Sequence, residues 1–212
     1  MCGLCRHLSC RRHPAGGEEM KTGFDIMIVG IGGQGTILAS NVLGEACLVE
    51  GRSVRGAETH GMAQRGGSVE SQIRIDCEFG PLIVPGTADI LIAFDLLEAV
   101  RYQHFLKEGG EMIVNNQLVL PTSTFTSGQA PPTEDDIIGM LKGRSVEIID
   151  ATAIATAAGS PLAANIALLG AASHTIPLSL ESLLEGVRRC VPKKTIPINE
   201  KAFLDGRDAV QP

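Results

Sequence analysis

Apolar residues along this chain fall into short runs and periodic segments that alternate regularly from Asp25 onward. Asp25-Ile-Met-Ile-Val29 is a continuous apolar run, the pattern of a strand buried on both faces. Gln34 to Val49 has Ile37, Leu38, Val42 and Leu48 among its apolar positions, which predicts a helix stopping at Gly51. Ser53-Val-Arg55 predicts a short second strand that gives way to a polar loop running through Gly67. Between Ser68 and Cys77, Val69, Ile73 and Ile75 are set against Glu70, Arg74 and Asp76. This period of two predicts a strand with one wetter face, near a sheet edge. Ala88-Asp-Ile-Leu-Ile-Ala-Phe94 is another buried strand, and Asp95 is placed to cap a helix through His104. Gly109-Gly110 then turns the chain into a strand from Glu111 to Asn115.

Pro121 to Thr133 is rich in Ser, Thr and Pro and predicts a surface loop. A short helix from Asp135 to Lys142 and a strand from Val146 to Ile149 lead into a mainly helical remainder. Its helices are expected at Ala151 to Ala158, Pro161 to Ala172, Leu180 to Cys190 and around Asn199 to Val210. Strands alternating with helices predict an α/β fold: a three-layer, doubly wound, Rossmann-like sheet, mostly parallel or mixed, with a helical C-terminal part. Ile148 to Ser173 is apolar and long enough to span a membrane, but Asp150, Asn165 and the Gly159-Ser160-Pro161 break divide it. Two Ala-rich helices are expected there, packed within the chain or against another chain. No membrane association is expected.

Composition narrows the picture. The chain has 212 residues, 44% hydrophobic and 20% charged, as folded globular proteins do. With 3% aromatic residues and no Trp, its core must be built from Ile, Leu, Val and Ala. A net charge of −6, with no basic run longer than a pair such as Arg11-Arg12, argues against nucleic acid as a partner. Cys47, Cys77 and Cys190 sit in or beside apolar stretches and are expected as small buried hydrophobes. No apolar segment of signal-peptide type opens the chain, so a reducing, cytoplasmic compartment is expected.

Residues 1–19 differ in character from the rest of the chain and are expected to be an unstructured leader or a misassigned start, with one domain over 20–212. The leader holds Cys2, Cys5 and Cys10 with His7 and His13 nearby, ligand types suited to zinc. Their spacing matches no standard metal site, so they are weak candidates.

The strongest local motif is the turn Gly30-Ile-Gly-Gly-Gln-Gly35, between the first strand and the first helix. Glycines let a backbone approach a ligand or a neighbouring strand, and a helix N-terminus favours an anion. The spacing of Gly30, Gly32 and Gly35 satisfies a dinucleotide fingerprint. A dinucleotide site also wants an acidic residue at the end of the second strand to hold the ribose. Glu58, inside the polar loop, is the nearby candidate. No Gly-Lys-Ser/Thr follows the turn, which excludes a P-loop. Gly30, Gly32, Gly33, Gln34 and Gly35 are thus expected to serve tight packing, a phosphate, or both.

Arg55-Gly-Ala-Glu-Thr-His-Gly-Met-Ala-Gln-Arg-Gly-Gly-Ser68 is the second unusual segment. In a doubly wound sheet it should emerge beside the glycine turn, at the crevice where ligands bind. Arg55 and Arg65 could hold a phosphate or carboxylate bidentately, and His60 could donate to a polar group. A solvated loop is the plainer alternative.

These two stretches, with Ala88-Asp-Ile-Leu-Ile-Ala-Phe94 and Glu98-Ala, resemble the gamma-type domain of the 2-oxoacid:ferredoxin oxidoreductases, over roughly Lys21 to Val191. Within that family they are most similar to the beta subunits of the indolepyruvate enzymes. The resemblance implies a cytoplasmic complex of amino acid catabolism that decarboxylates an aryl 2-oxoacid to an acyl-CoA and CO2 while reducing ferredoxin. It places thiamine diphosphate and the iron–sulfur clusters in a large alpha subunit, with CoA as co-substrate and this chain inactive alone. This chain has neither a Gly-Asp-Gly motif leading to Asn-Asn nor a C-x2-C-x2-C-x3-C run. By resemblance, Gly30, Gly32, Gly33, Gln34, Gly35, Arg55, Glu58, His60, Gln64 and Arg65 become candidates for the CoA and substrate region. His60, Gln64 and Arg65 lead, and no catalytic residue is expected. Gamma subunits acting on pyruvate, ketoisovalerate or 2-oxoglutarate, and a stand-alone dinucleotide-binding protein, are the alternatives.

Overall fold

The structure is a computed structural model that describes residues 23–60, 67–120 and 132–210. The leader with Cys2, Cys5 and Cys10, most of the Ser/Thr/Pro-rich loop, and Gln64 and Arg65 therefore lie outside the described residues.

Six strands form one mixed sheet: β1 (Phe24–Ile31), β2 (Val54–His60), β3 (Ser68–Ile75), β4 (Ala88–Ala93), β5 (Leu106–Asn115) and β6 (Ser145–Ile149). Their spatial order is β2-β3-β1-β4-β5-β6. β1, β4, β5 and β6 run parallel, and β3 runs antiparallel to both its neighbours. The helices are α1 (Thr36–Val49), α2 (Leu96–Tyr102), α3 (Glu134–Met140), α4 (Ala151–Ala158), α5 (Ala164–Ala172), α6 (Leu180–Cys190) and α7 (Ile196–Asp208).

Alternate side chains of the parallel strands enter two separate cores. Ile26, Ile28, Ile90 and Ile92 pack under α1, α5, α6 and α7, while Met27, Val29, Leu91 and Ala93 pack under α2 and α3. Each fully buried aliphatic side chain contributes roughly 1.5–3 kcal/mol of transfer free energy. This two-sided burial explains why β1 and β4 are unbroken apolar runs. The result is the expected three-layer, doubly wound α/β fold, with a thick helical layer on one face and a thin one on the other.

Three expectations need correction. First, β2 extends to His60, so half of the presumed loop is strand. Its Arg55, Gly56, Glu58 and Thr59 lack apolar alternation because β2 is the outermost strand and has little core to face. Second, β3 lies near the sheet edge as expected, next to the outermost strand, but its polar face is not wet. The polar positions that suggested water are used inside the protein. Gln72 Oε1 accepts the Ile83 N–H at 2.6 Å, and Arg74 pairs with buried Asp25 at 2.8 Å. Third, β5 begins at Leu106 and passes Gly109-Gly110 through an irregular register against β4, so the two glycines lie within the strand rather than before it.

Of the Ala-rich helices, α5 settles within the chain, while α4 buries Ala151, Ala155 and Ala158 and keeps one face exposed. From Asn165 to Ala172 every residue of α5 is buried. Helix α5 crosses α7 where Gly170 faces Phe203 and Gly206 faces Ala167; a Cβ on Gly206 would lie 2.0 Å from the Ala167 carbonyl oxygen. Small residues are there to let two backbones touch. Among the described residues no helix is long and apolar enough to cross a membrane.

Candidate functional site: the crevice at the strand ends

Helix α1 leaves β1 toward one face of the sheet, and α2 leaves β4 toward the other. Because β1 and β4 are parallel neighbours, a crevice opens between them at their C-terminal ends. Open α/β sheets bind ligands at this kind of switch point.

The glycine turn forms one wall, and the protein itself uses much of its polar capacity. Gln34 folds back so that its Oε1 accepts the Ile31 N–H at 2.7 Å and its Nε2 donates to the Phe94 carbonyl at 3.4 Å. The Gly32 N–H donates to the Gly67 carbonyl at 2.9 Å. Gly30 has no room for a side chain, since a Cβ would lie 2.8 Å from Gln34 Oε1 and 3.0 Å from Phe94 Cβ. Gly35 caps α1 in a left-handed conformation, φ +86°, with the Asn165 amide against it; Asn165 Nδ2 donates to the Gly35 carbonyl at 3.3 Å. Gly32 and Gly33 stay exposed, and nothing lies within 4 Å of a Cβ built on Gly33. A ligand can therefore approach the backbone there.

The opposite wall is built around α2. Buried Asp95 caps that helix, accepting the Leu97 N–H at 2.9 Å and the Glu98 N–H at 3.4 Å, and its other oxygen accepts the Val119 N–H at 2.7 Å. Burial raises the Asp95 carboxyl above its ordinary range, against the pull of those three donors. Glu98 is also buried. It accepts from Ser68 Oγ at 2.5 Å and pairs with Arg101 at 2.9 Å, while Tyr102 lies 3.2 Å from the same hydroxyl. Burial raises the Tyr102 phenol. Ser68 opens β3, so this network ties α2 to the end of the β2–β3 connection.

The structure divides the sequence-derived candidates. The glycine turn, His60 and Gly67 lie at the same end of the sheet, since β1 and β3 pair Ile31 with Ser68 and β2 and β3 pair His60 with Val69. Arg55 lies at the other end of β2, roughly 16 Å away along an extended strand, with its Nε donating to the Cys77 carbonyl at 3.2 Å. Glu58 turns toward α1, where Ser40 Oγ donates to it at 3.0 Å. Since β3 separates β2 from β1, Glu58 is two strands away from the position where a ribose-binding carboxylate follows the glycine turn. Asn165, Ser68 and Glu98 were not among the candidates. Asn165 had one sequence signal, as the lone polar side chain of its apolar helix.

Among the described residues no three His, Cys, Asp or Glu side chains converge on a metal position. Cys47 on α1 and Cys77 just after β3 are buried and Cys190 on α6 is half-buried, so these three thiols do not form a cluster cradle. Burial pushes the Cys47 thiol up to about 11 and also raises Cys190. Because the thiolate is the reactive form, iodoacetamide at mildly alkaline pH should label Cys190 well before Cys47 or Cys77. Peptide mass spectrometry of the native protein checks this, and equal rates at Cys47 and Cys190 would contradict the burial.

Fold and crevice define a doubly wound α/β domain with a binding region at its switch point and one strand inserted antiparallel beside the glycine turn. The family model of the pyruvate ferredoxin/flavodoxin oxidoreductases matches residues 25–209, and the chain belongs to that family. It is 40% identical over 187 residues to the indolepyruvate oxidoreductase subunit IorB of Methanothermobacter thermautotrophicus, spanning 86% of this chain and 95% of that one. Among solved structures it is similar to the gamma subunit of a keto/oxoacid ferredoxin oxidoreductase from Geobacter sulfurreducens, at 26% identity and a TM-score of 0.66, over 88% of this chain and 97% of that one. The 2-oxoglutarate:ferredoxin oxidoreductase from Magnetococcus marinus shares the fold, at 24% identity and a TM-score of 0.68; the match covers 89% of this chain and 31% of that longer one.

Proposed function

We propose that the chain is the small subunit of an indolepyruvate ferredoxin oxidoreductase and acts in complex with a large, thiamine- and cluster-bearing subunit. The observation that carries this reading is the match over 95% of a subunit named for that enzyme. Thiamine diphosphate and iron–sulfur clusters, bound in the large subunit, would supply decarboxylation and electron transfer to ferredoxin.

The contribution of this chain is a wall of the CoA and substrate region. Its exposed backbone at Gly32 and Gly33 gives a phosphate close approach. His60, Gln64 and Arg65, on or after the end of β2, are proposed to supply polar contacts, Arg65 by a bidentate grip on phosphate. Asn165 and Gln34 act as positioning residues, because they hold the turn rather than reach past it. The complex is proposed to be cytoplasmic.

Reconstitution tests the reading. The purified chain alone should show no 2-oxoacid oxidation, and the large subunit should gain indolepyruvate-dependent, CoA-dependent ferredoxin reduction when it is added. Pyruvate, ketoisovalerate and 2-oxoglutarate serve as competing substrates. In the complex, Arg65→Met should raise KM for CoA about tenfold or more, for loss of a charge-assisted contact, with kcat nearly kept. Tight NAD or FAD binding by the single chain, or no gain on reconstitution, would overturn the proposal.

A further inference from the structure

Among the described residues β2 has a strand neighbour on one side only, and its other edge carries a defined set of backbone groups. The Asp76 N–H donates to the Ser53 carbonyl at 2.9 Å, one step before the β2–β3 register begins at Val54 and Ile75. Hydrogen-bonded and non-bonded pairs alternate in an antiparallel ladder. Arg55, Ala57 and Thr59 therefore bond to β3, while Val54, Gly56 and Glu58 turn their N–H and C=O groups outward. The bond from the Gly32 N–H to the Gly67 carbonyl fixes the same alternation from the other side of β3. Edge strands are commonly blunted by Pro, bulges or inward charges. β2 contains no Pro, and its pairing with β3 runs without interruption from Val54 to His60.

A cleft of about 480 Å³ opens beside this edge, lined by Ser40, Asn41, Glu45, Leu48, Val54 and Glu58. Glu58 projects from the edge strand and meets Ser40, and it makes no ion pair among the described residues. Glu45 faces the same cleft, with Arg189 at 3.3 Å. Leu48 is 61% exposed, an apolar surface next to two carboxylates. Outward-facing strand groups, a carboxylate in line with them and an apolar shelf together match recognition by strand addition, in which the main chain supplies affinity and alternate side chains supply specificity.

We propose that β2 accepts an extended segment of the large subunit as an added strand. A lysine or arginine of that segment reaches Glu58, and an apolar residue four positions along, opposite Val54, covers Leu48 and Val54. The identity of the partner rests on the proposed function; the edge, the cleft and its charge do not. A second copy of this chain is a poorer fit. Pairing β2 with itself about a two-fold axis brings no lysine or arginine to Glu58, because Arg55 lies on the opposite face, aligned with Arg74.

Hydrogen exchange at residue resolution tests this on the full chain, alone and in complex with the large subunit. Alone, the Gly56 and Glu58 amides should exchange fast and the Arg55, Ala57 and Thr59 amides slowly. In the complex, Gly56 and Glu58 should gain about a hundredfold protection, as buried ladder amides do. Glu58→Lys should weaken assembly by about tenfold or more through charge repulsion. Gly56→Pro should also weaken it, since it removes an outward N–H without breaking the ladder to β3. A complex in which both amides exchange as fast as in the free chain overturns the strand addition and leaves the functional reading standing. Protection that appears in the chain alone as its concentration rises assigns the edge to self-association and also overturns it. Failure of the wild-type chain to form any complex removes both proposals.

Discussion

Gly206→Ala is expected to cost this protein roughly 3 kcal/mol, as overpacking of a tight core contact does, and to lower its melting temperature by about 6–12 °C. The added methyl would lie 2.0 Å from the Ala167 carbonyl oxygen and 2.7 Å from its carbon. Neither atom can rotate away, because both belong to the backbone of α5, so one whole helix must shift. Helix α5 is buried on every side from Asn165 onward and packs against the sheet, which leaves it little room to move. Such a shift would also carry Asn165 off the Gly35 carbonyl, so weaker CoA binding by the complex should accompany the loss of stability. Gly170→Ala should behave alike, with its methyl 2.0 Å from the Phe203 carbonyl oxygen. Gly44→Ala is the control. A Cβ there meets nothing within 4 Å in the middle of α1, and the substitution should stabilise by about 0.5–1 kcal/mol through reduced backbone entropy. Calorimetric scans of the three variants decide the matter, and a Gly206→Ala protein melting with the wild type would refute the close crossing.

The second large effect is expected at Arg74. Its Nε donates to Asp25 Oδ1 at 2.8 Å, and a second nitrogen donates to the Gly80 carbonyl at 2.8 Å. Asp25 is wholly buried at the start of β1, and the Asp25 carboxylate in turn raises the guanidinium above its already high range. Arg74→Met keeps the apolar stem but removes the guanidinium from the buried carboxylate. That should cost about 3–5 kcal/mol, as breaking one side of a buried pair does. The double variant Asp25→Asn with Arg74→Met should recover much of the loss, because removing both charges costs far less than removing one side of the pair. Chemical denaturation of the two singles and the double gives the coupling energy directly. A double variant as unstable as the sum of the singles would show that the pair does not act as a unit.

Much of the doubly wound frame was legible because its signals are local. β1 and β4 are apolar runs, Asp95 sits where an N-cap belongs, and Gly51 ends α1, each readable within one short window. The glycine turn was legible for the same reason. Its partner was not: Asn165 lies 130 residues from Gly35, and no short window contains both. β2 was half missed because a strand on the sheet edge needs no apolar alternation. β3 was rightly placed near the edge, but Arg74 was read as wet, whereas buried Asp25 pairs with it inside the fold.

Local patterns in the chain settled the fold class, the position of the glycine turn and the family resemblance, since apolar period, capping residues and short motifs act over a few positions. How those parts serve a site was decided by long-range pairing. Insertion of β3 between β1 and β2 moved Glu58 away from the turn and into a lateral cleft, and sent Arg55 to the far end of its strand. The same insertion leaves β2 with outward-facing backbone groups. Strand order and direction follow from which long-range pairings bury most area with every polar group satisfied, and that balance is struck across the whole chain, not within any one segment.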